Sequence, residues 1–262
     1  MKYLGGKQRL GKEIAPILLE FNKYYGYENY LEPFCGALGV LTHMSPYFDN
    51  IVASDYHPDL IKLWKGVKDG SFVPPNSISE DRYNKIKESK SPSALKGFAG
   101  FSMSFGGRFF TSYAPNYANG KNENFCREGI NSINRKRPQI QNVEFKCQDY
   151  RTIKPNKYLI YCDPPYTQSK YPIKYRRDTK YYDVFDNDEF WEIMRDWSKN
   201  NLVIISELRA PPDFHMIWSK EKVNTASKAG KTTLKNINEI KLTEKLFIHN
   251  SNLINFDLKI KS

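Results

Sequence analysis

The tetrapeptide Asp163-Pro164-Pro165-Tyr166 follows a short apolar run, Leu159 to Cys162, and that junction is where chemistry is first suggested. The run reads as a buried strand of β-branched and aromatic character. Asp163 lands at its end, and two prolines cannot continue a hydrogen-bonded ladder, so the chain must turn outward with stiff φ angles. A carboxylate on a rigid turn at the carboxyl end of an α/β strand occupies the usual place for a reacting group. Taken alone, the stretch also fits a solvated turn with a surface tyrosine. Other strand ends make coincidence a poor explanation. A glycine-containing turn, Glu32 to Gly39, follows the strand candidate Asn29 to Phe34. Asp55 closes Ile51 to Asp55 about twenty residues later, and Asp149 closes a third candidate, Asn142 to Tyr150.

The elements that must position these acids follow from periodicity. Residues 7 to 24 carry Leu10, Ile14, Ile17, Leu18 and Phe21 as a helical stripe. A helix opened by Pro58 follows Asp55. The first 68 residues therefore read helix, strand, helix, strand, helix, the start of a doubly wound α/β sheet. Beyond Lys68 the pattern changes to Pro74-Pro75, serine-rich turns and a glycine–aromatic tract without helical period. The α/β pattern resumes at Asn142, with a helix from Asn187 to Ser198 capped by Asp186 and a buried strand from Leu202 to Ser206. Weaker strand candidates lie at 218–223, 245–250 and 253–260. The expected organisation is one domain, residues 1–68 and 142–262, split by an insert at 69–141.

Charge is concentrated in that insert. The 262 residues hold 40 Lys and Arg against 29 Asp and Glu, a net of +11. Positions 82 to 141 alone hold eleven basic and three acidic residues, a net of +8. A basic lobe suits a polyanionic partner. The stretch Ser104 to Pro115 has the form of a glycine-turned hairpin presenting aromatics and Arg108. No stretch approaches the roughly 20 apolar residues that cross a bilayer, and the start lacks a secretory h-region. Four cysteines stand far apart among four scattered histidines, so reduced thiols in a cytoplasmic protein are expected and no metal site.

The glycine turn is not a GxGxxG, and no lysine-containing phosphate loop is present, so nicotinamide, flavin and nucleoside triphosphates are disfavoured. A cofactor with a ribose and no phosphate fits the acids better, as S-adenosylmethionine does. The order Tyr3-Leu4-Gly5-Gly6-Lys7, Glu32-Pro33-Phe34-Cys35-Gly36, Asp55, Asp149-Tyr150 and Asp163-Pro164-Pro165-Tyr166 resembles the Dam-like DNA adenine-N6 methyltransferases over nearly the whole chain.

That resemblance implies a Rossmann-like S-adenosylmethionine-dependent methyltransferase sheet with an inserted DNA-recognition subdomain. It implies that Tyr3, Gly5, Lys7 and Asp163 contact the cofactor and that Glu32, Phe34 and Gly36 wrap its methionine end. Asp55 would accept from the ribose, with Asp149 and Tyr150 beside the cofactor's adenine. Asp163 and the Pro164 carbonyl would accept the two N6–H groups of a target adenine, Pro165 would brace the turn, and Tyr166 would stack on the extruded base. One departure stands out: Leu38 occupies the place of the family's second glycine, with Gly39 next, implying a turn built slightly differently. Arg108, Lys121, Arg127, Arg135, Lys136 and Arg137 are the candidate phosphate contacts on double-stranded DNA. The expected assembly is a monomer or weak dimer, with a cognate restriction endonuclease as an optional partner. RNA adenine or cytosine-N4 methylation, and a DNA-binding protein without activity, remain the alternatives.

Overall fold

In the computed structural model the residues described are 1–114, 117–118, 121–122, 124–165, 185–222 and 242–253. Helix α1 (Gly11–Tyr25) buries Ile14 and Leu18 of the predicted stripe, with Ala15 beside them, and stops at Gly26, whose φ of +67° supplies the left-handed cap. Strand β1 (Asn29–Glu32), the short α2 (Leu41–Met44), β2 (Asn50–Asp55) and α3 (Pro58–Asp69) follow in the predicted order, with Pro58 at the first turn of α3.

The insert carries α4 (Glu80–Glu88), α5 (Ala94–Ser102), the two-residue strands β3 (Tyr117–Ala118) and β4 (Lys121–Asn122), and α6 (Phe125–Lys136). The sheet then resumes with β5 (Val143–Cys147), β6 (Tyr158–Cys162), α7 (Asn187–Trp197), β7 (Leu202–Ser206), β8 (Phe214–Lys222) and β9 (Leu242–His249). Asp186 caps α7 as expected, its Oδ1 accepting from the N–H groups of Asp188 and Glu189. Of the weak strand candidates, 218–222 falls within β8 and 245–249 within β9, while 223 and 254–260 lie outside the described residues.

Among the described residues, seven strands form one sheet in the order β5-β2-β1-β6-β7-β9-β8. The five from β5 to β7 are parallel, and β9 runs antiparallel to β7 on one side and β8 on the other. The chain therefore builds outward from β1 on one side, then returns to lay β6 on the other. The β1–β6 junction is the switch point of a doubly wound sheet, beside which ligands bind at the carboxyl ends. Alternate strand residues serve opposite faces. Tyr30, Leu159 and Ile204 pack with α1, α3 and the insert, whereas Leu31, Ile160 and Val203 pack against Phe190, Trp191, Met194 and Trp197 of α7.

The insert is more helical than its composition suggested, and the glycines explain why. A Cβ at Gly97 would lie 2.3 Å from the Asp59 carbonyl, and one at Gly100 would lie 2.3 Å from the Phe109 ring. Small residues on α5 thus let it press against α3. Phe98, Phe101, Phe110, Phe125 and Ile133 join the same apolar cluster as the sheet. Burying each phenylalanine is worth about 2 kcal/mol. The hairpin expectation is corrected in part. Ser104 and Tyr113 pair in an antiparallel bridge, but Phe110 is buried and Phe109 packs on His57 at 4.3 Å between centroids. Phe105 remains outward, 70% exposed.

Candidate active site

Parallel strands bring their carboxyl ends to one edge, so Glu32, Asp55, Asp163 and Glu207 gather there from four strands. Asp163 follows β6 directly, and Lys7 reaches it: Nζ lies 2.6 Å from Asp163 Oδ1 and 3.4 Å from Glu244 Oε1. Glu244 arrives because β9 is reversed. Its amino end meets the carboxyl end of β7, with Ser206 opposite Leu246. Burial works against the charge on Lys7, but Asp163 and Glu244 outweigh it and hold the ammonium above the ordinary lysine value. Lys7 also donates to the Gly5 carbonyl at 3.3 Å. Pro164 is buried and Pro165 half-buried behind the carboxylate.

Two further carboxyls balance the edge differently. Glu32 is buried, accepts from the Tyr30 hydroxyl at 2.6 Å, and is pushed up to about 8 by burial against that hydrogen bond. Burial likewise pushes Glu207 up to about 7, opposed by its hydrogen bond from the Leu208 N–H, with Asp163 and Glu244 adding to the rise. Near neutrality Glu32 keeps its proton, and the ion-pair contacts of Lys7 are with Asp163 and Glu244.

Beside this edge the turn after β1 is fixed from every side. Asp55 accepts at Oδ2 from the Gly36 N–H and at Oδ1 from the His57 N–H, both at 3.0 Å. Burial raises Asp55 above its ordinary value, and these N–H groups oppose it. Tyr3 lies over Gly36 so closely that a Cβ there would stand 3.0 Å from its ring. The Trp64 indole donates to the Gly36 carbonyl at 2.8 Å. Leu38 adopts φ of +59°, the region ordinarily left to glycine, with its side chain fully buried. The expected difference in the turn is therefore one of side chain: leucine takes a glycine-type backbone there because its burial offsets the strain.

The far wall is aromatic. Phe34 lies 5.0 Å from Tyr150 between centroids and 6.3 Å from Phe185, over Phe190 at 5.9 Å. Asp149 is engaged by Arg151, whose Nε donates to both carboxylate oxygens at 3.0 Å, and this holds the carboxyl below its ordinary value. The Tyr150 hydroxyl is buried and makes no hydrogen bond among the described residues. A polar atom so placed on an aromatic wall, with Asp55 and Gly36 across the turn, is chemistry that suits a nucleoside with a polar tail. The residues thus fit S-adenosylmethionine.

Tyr3, Gly5, Lys7, Glu32, Phe34, Gly36, Asp55, Asp163, Pro164 and Pro165 thus come to one edge, with Asp149 and Tyr150 along it. Tyr166 and the side chain of Lys121 lie outside the described residues. Arg127, Arg135 and Arg137 are exposed on the insert and Arg108 is half-buried. Lys136 requires correction as a phosphate contact. It is 8% exposed, and its Nζ donates inward to the Ala37 and Leu38 carbonyls. Sequence reasoning missed Glu207, although the strand-end rule applied to it, and Glu244 and Arg151, for which no local signal exists.

Residues 3–95 match the family model of the D12 class N6 adenine-specific DNA methyltransferases. Two solved structures of the rRNA methyltransferase aviRa from Streptomyces viridochromogenes, at 2.4 Å and 1.5 Å, are similar at 10% identity and a TM-score of 0.36. They cover 92% of this chain, and 87% and 85% of theirs are covered in turn. No curated protein matches the chain. Among the described residues no helix is long and apolar enough to cross a membrane. The family match takes in Tyr3, Lys7, Glu32, Phe34, Gly36 and Asp55, supports the Dam-like resemblance, and indicates a methyltransferase similar over residues 3–95 to the D12 class N6 adenine-specific enzymes.

Proposed function

We propose that this protein transfers the methyl group of S-adenosylmethionine to the N6 amine of an adenine extruded from double-stranded DNA. The observation that carries this reading is the 2.6 Å contact between Lys7 and Asp163. Lys7 lies inside the matched segment and Asp163 is 156 residues away on the proline-braced turn, so two distant motifs meet at one edge.

When bound, S-adenosylmethionine supplies an electrophilic methyl group. Asp55 and the Gly36 turn would hold its ribose and methionine parts, with Phe34 and Tyr150 beside the adenine. The target amine is a poor nucleophile because its lone pair is delocalised into the ring. Asp163 accepts one N6–H and the Pro164 carbonyl the other, which favours a pyramidal nitrogen and stabilises the positive charge growing on it. One preorganised interaction of this kind is worth roughly 3–4 kcal/mol of barrier by analogy with oxyanion donors. A carboxylate has about four acceptor sites. Lys7 occupies one at Oδ1, which fixes the carboxylate without exhausting it. Asp163, which accepts one N6–H, would take up the proton released as the amine is methylated. The basic insert, residues 69–141, would lie along phosphates, with Arg108, Arg127, Arg135 and Arg137 as contacts.

The test is product analysis. The protein is incubated with S-adenosylmethionine and either unmethylated plasmid DNA or bulk RNA, and the nucleosides are examined by mass spectrometry. N6-methyldeoxyadenosine from DNA alone is the expected result. Product from RNA alone, or methylcytidine, would overturn the substrate, and no product despite cofactor binding would leave a DNA-binding protein without activity.

A further inference from the structure

Lys136 belongs to the basic insert by sequence, between Arg135 and Arg137, yet it faces away from solvent. Both arginines are exposed while Lys136 is 8% exposed. Its side chain runs from the last turn of α6 past the Trp64 ring, with Nζ 5.9 Å from the centroid, to the turn after β1. There it donates to the Ala37 carbonyl and, at 3.4 Å, to the Leu38 carbonyl. Thr42 Oγ1 shares the Leu38 carbonyl at 3.2 Å, and the Trp64 indole takes the carbonyl of Gly36. Three consecutive carbonyls are thus drawn toward α3 and α6. In trans peptides the following N–H points the opposite way, so Ala37 aims its N–H away from Trp64 and Gly39 aims its N–H away from Lys136.

Burying an ammonium is expensive unless it is hydrogen-bonded, and among the described residues its hydrogen-bond partners are carbonyl oxygens. A methionine would fill the same space at lower cost. The placement makes sense if the conformation of the turn matters more than the stability of the core. We infer that Lys136 is a positioning residue for the cofactor: from the insert, it sets the backbone of the Gly36–Leu38 turn that receives S-adenosylmethionine. This rests on the proposed cofactor reading and deepens it, because the lobe assigned to nucleic acid then also shapes the cofactor site.

The charged and titratable groups that face Lys136 are Glu32 of β1, Cys35 in the turn, His43 of α2, Arg135 on α6 and the Met1 amino group. Burial brings Lys136 down to about 8, with Glu32 opposing the fall. The ammonium is therefore present at neutral pH and lost on moderate alkalinisation, which gives a readout that a space-filling role would not move.

The experiment measures S-adenosylhomocysteine affinity by calorimetry for wild type, Lys136→Met and Lys136→Arg, across about pH 7 to 9.5, together with steady-state kinetics. Lys136→Met should weaken affinity at least ~10-fold near pH 7 and raise KM for S-adenosylmethionine while kcat stays within about threefold. Wild-type affinity should fall across the interval relative to Lys136→Arg, whose guanidinium stays charged throughout. Glu32 faces the side chain at 136 in both proteins, and in Lys136→Arg it does so beside a charge that stays fixed, so the divergence of the two profiles reports the loss of the Lys136 charge together with the response of Glu32 to it. If Lys136→Met does not fold, the wild-type and Lys136→Arg pH profiles alone decide. Parallel profiles overturn the inference, as does equal affinity in a folded Lys136→Met. Failure of the wild type to bind at all overturns the cofactor reading and takes this inference with it.

Discussion

Lys7→Met separates charge from packing at the candidate site. The ammonium lies 2.6 Å from Asp163 and 3.4 Å from Glu244, and the three side chains are 4%, 19% and 3% exposed. Methionine keeps most of the volume and removes the charge. Breaking a buried ion pair from one side leaves an uncompensated charge and costs about 3–5 kcal/mol. The carboxylates left behind can relieve the cost by taking up protons, so the penalty must shrink on acidification. The signs are consistent. Lys7 is held above its ordinary value, so its stabilisation is fully present at every pH below the unfolded lysine value. The pH dependence of the difference therefore comes from the carboxyls that Lys7 faces, Asp163 and Glu244 in contact and Glu207 through its charge. Urea denaturation near about pH 8 should show a loss of about 3–5 kcal/mol, and near about pH 5 less than about half of it. In melting temperature the loss near pH 8 is roughly 6–20 °C, at ~2–4 °C per kcal/mol for a chain of this size. A loss below about 1 kcal/mol near pH 8, the range of a surface pair, would refute the reasoning, as would an equal loss at both pH values.

Asp163→Asn keeps the shape of the turn and should lower turnover at least ~100-fold, while the melting shift produced by S-adenosylhomocysteine persists. Unchanged turnover in nucleoside mass spectrometry would remove Asp163 from the mechanism. Glu207 is held at about 7 instead of 4.5 by burial, so the folded state retains a proton that the unfolded chain has already lost. Stability therefore falls as pH rises from about 4.5 through about 7, by roughly 3 kcal/mol in all. Glu207→Gln should abolish that fall, leaving the variant more stable than wild type near about pH 8 and no more stable near about pH 4, as thermal melts would show. Arg135→Ala should weaken binding to plasmid DNA and flatten the log–log salt dependence by about one unit, with S-adenosylhomocysteine affinity level. A salt slope identical to wild type would take Arg135 out of the nucleic-acid interface.

What the sequence determined by itself was whatever depends on neighbours along the chain. The strands ending at Glu32, Asp55, Cys162 and Ser206 were legible because buried parallel strands are short apolar runs, and Pro164-Pro165 stops the one before Asp163. The cap at Asp186 was legible for the same reason. Parallel pairing then made one edge of all the strand-end acids, a consequence that topology rules supply without coordinates. The insert's helices were obscured because Gly97 and Gly100 read as turn signals. They are there to let α5 approach α3, a requirement set by residues about forty positions away in Gly97's case.

Tertiary structure alone decided the charge balance. Glu244 reaches Lys7 because β9 is reversed and placed in register with β7, and neither fact is encoded near position 244. Lys136 sits in a basic run that suggested solvent and phosphates, yet helical geometry turns it inward while its exposed neighbours Arg135 and Arg137 keep to the surface. The values near 8 for Glu32 and near 7 for Glu207 exist because desolvation depends on what closes over a carboxyl, and that is a property of packing. The chain's local order thus named Glu32, Asp55, Asp149 and Asp163, and the fold added Glu207 and Glu244 and determined that Glu32 and Glu207 hold their protons most tightly.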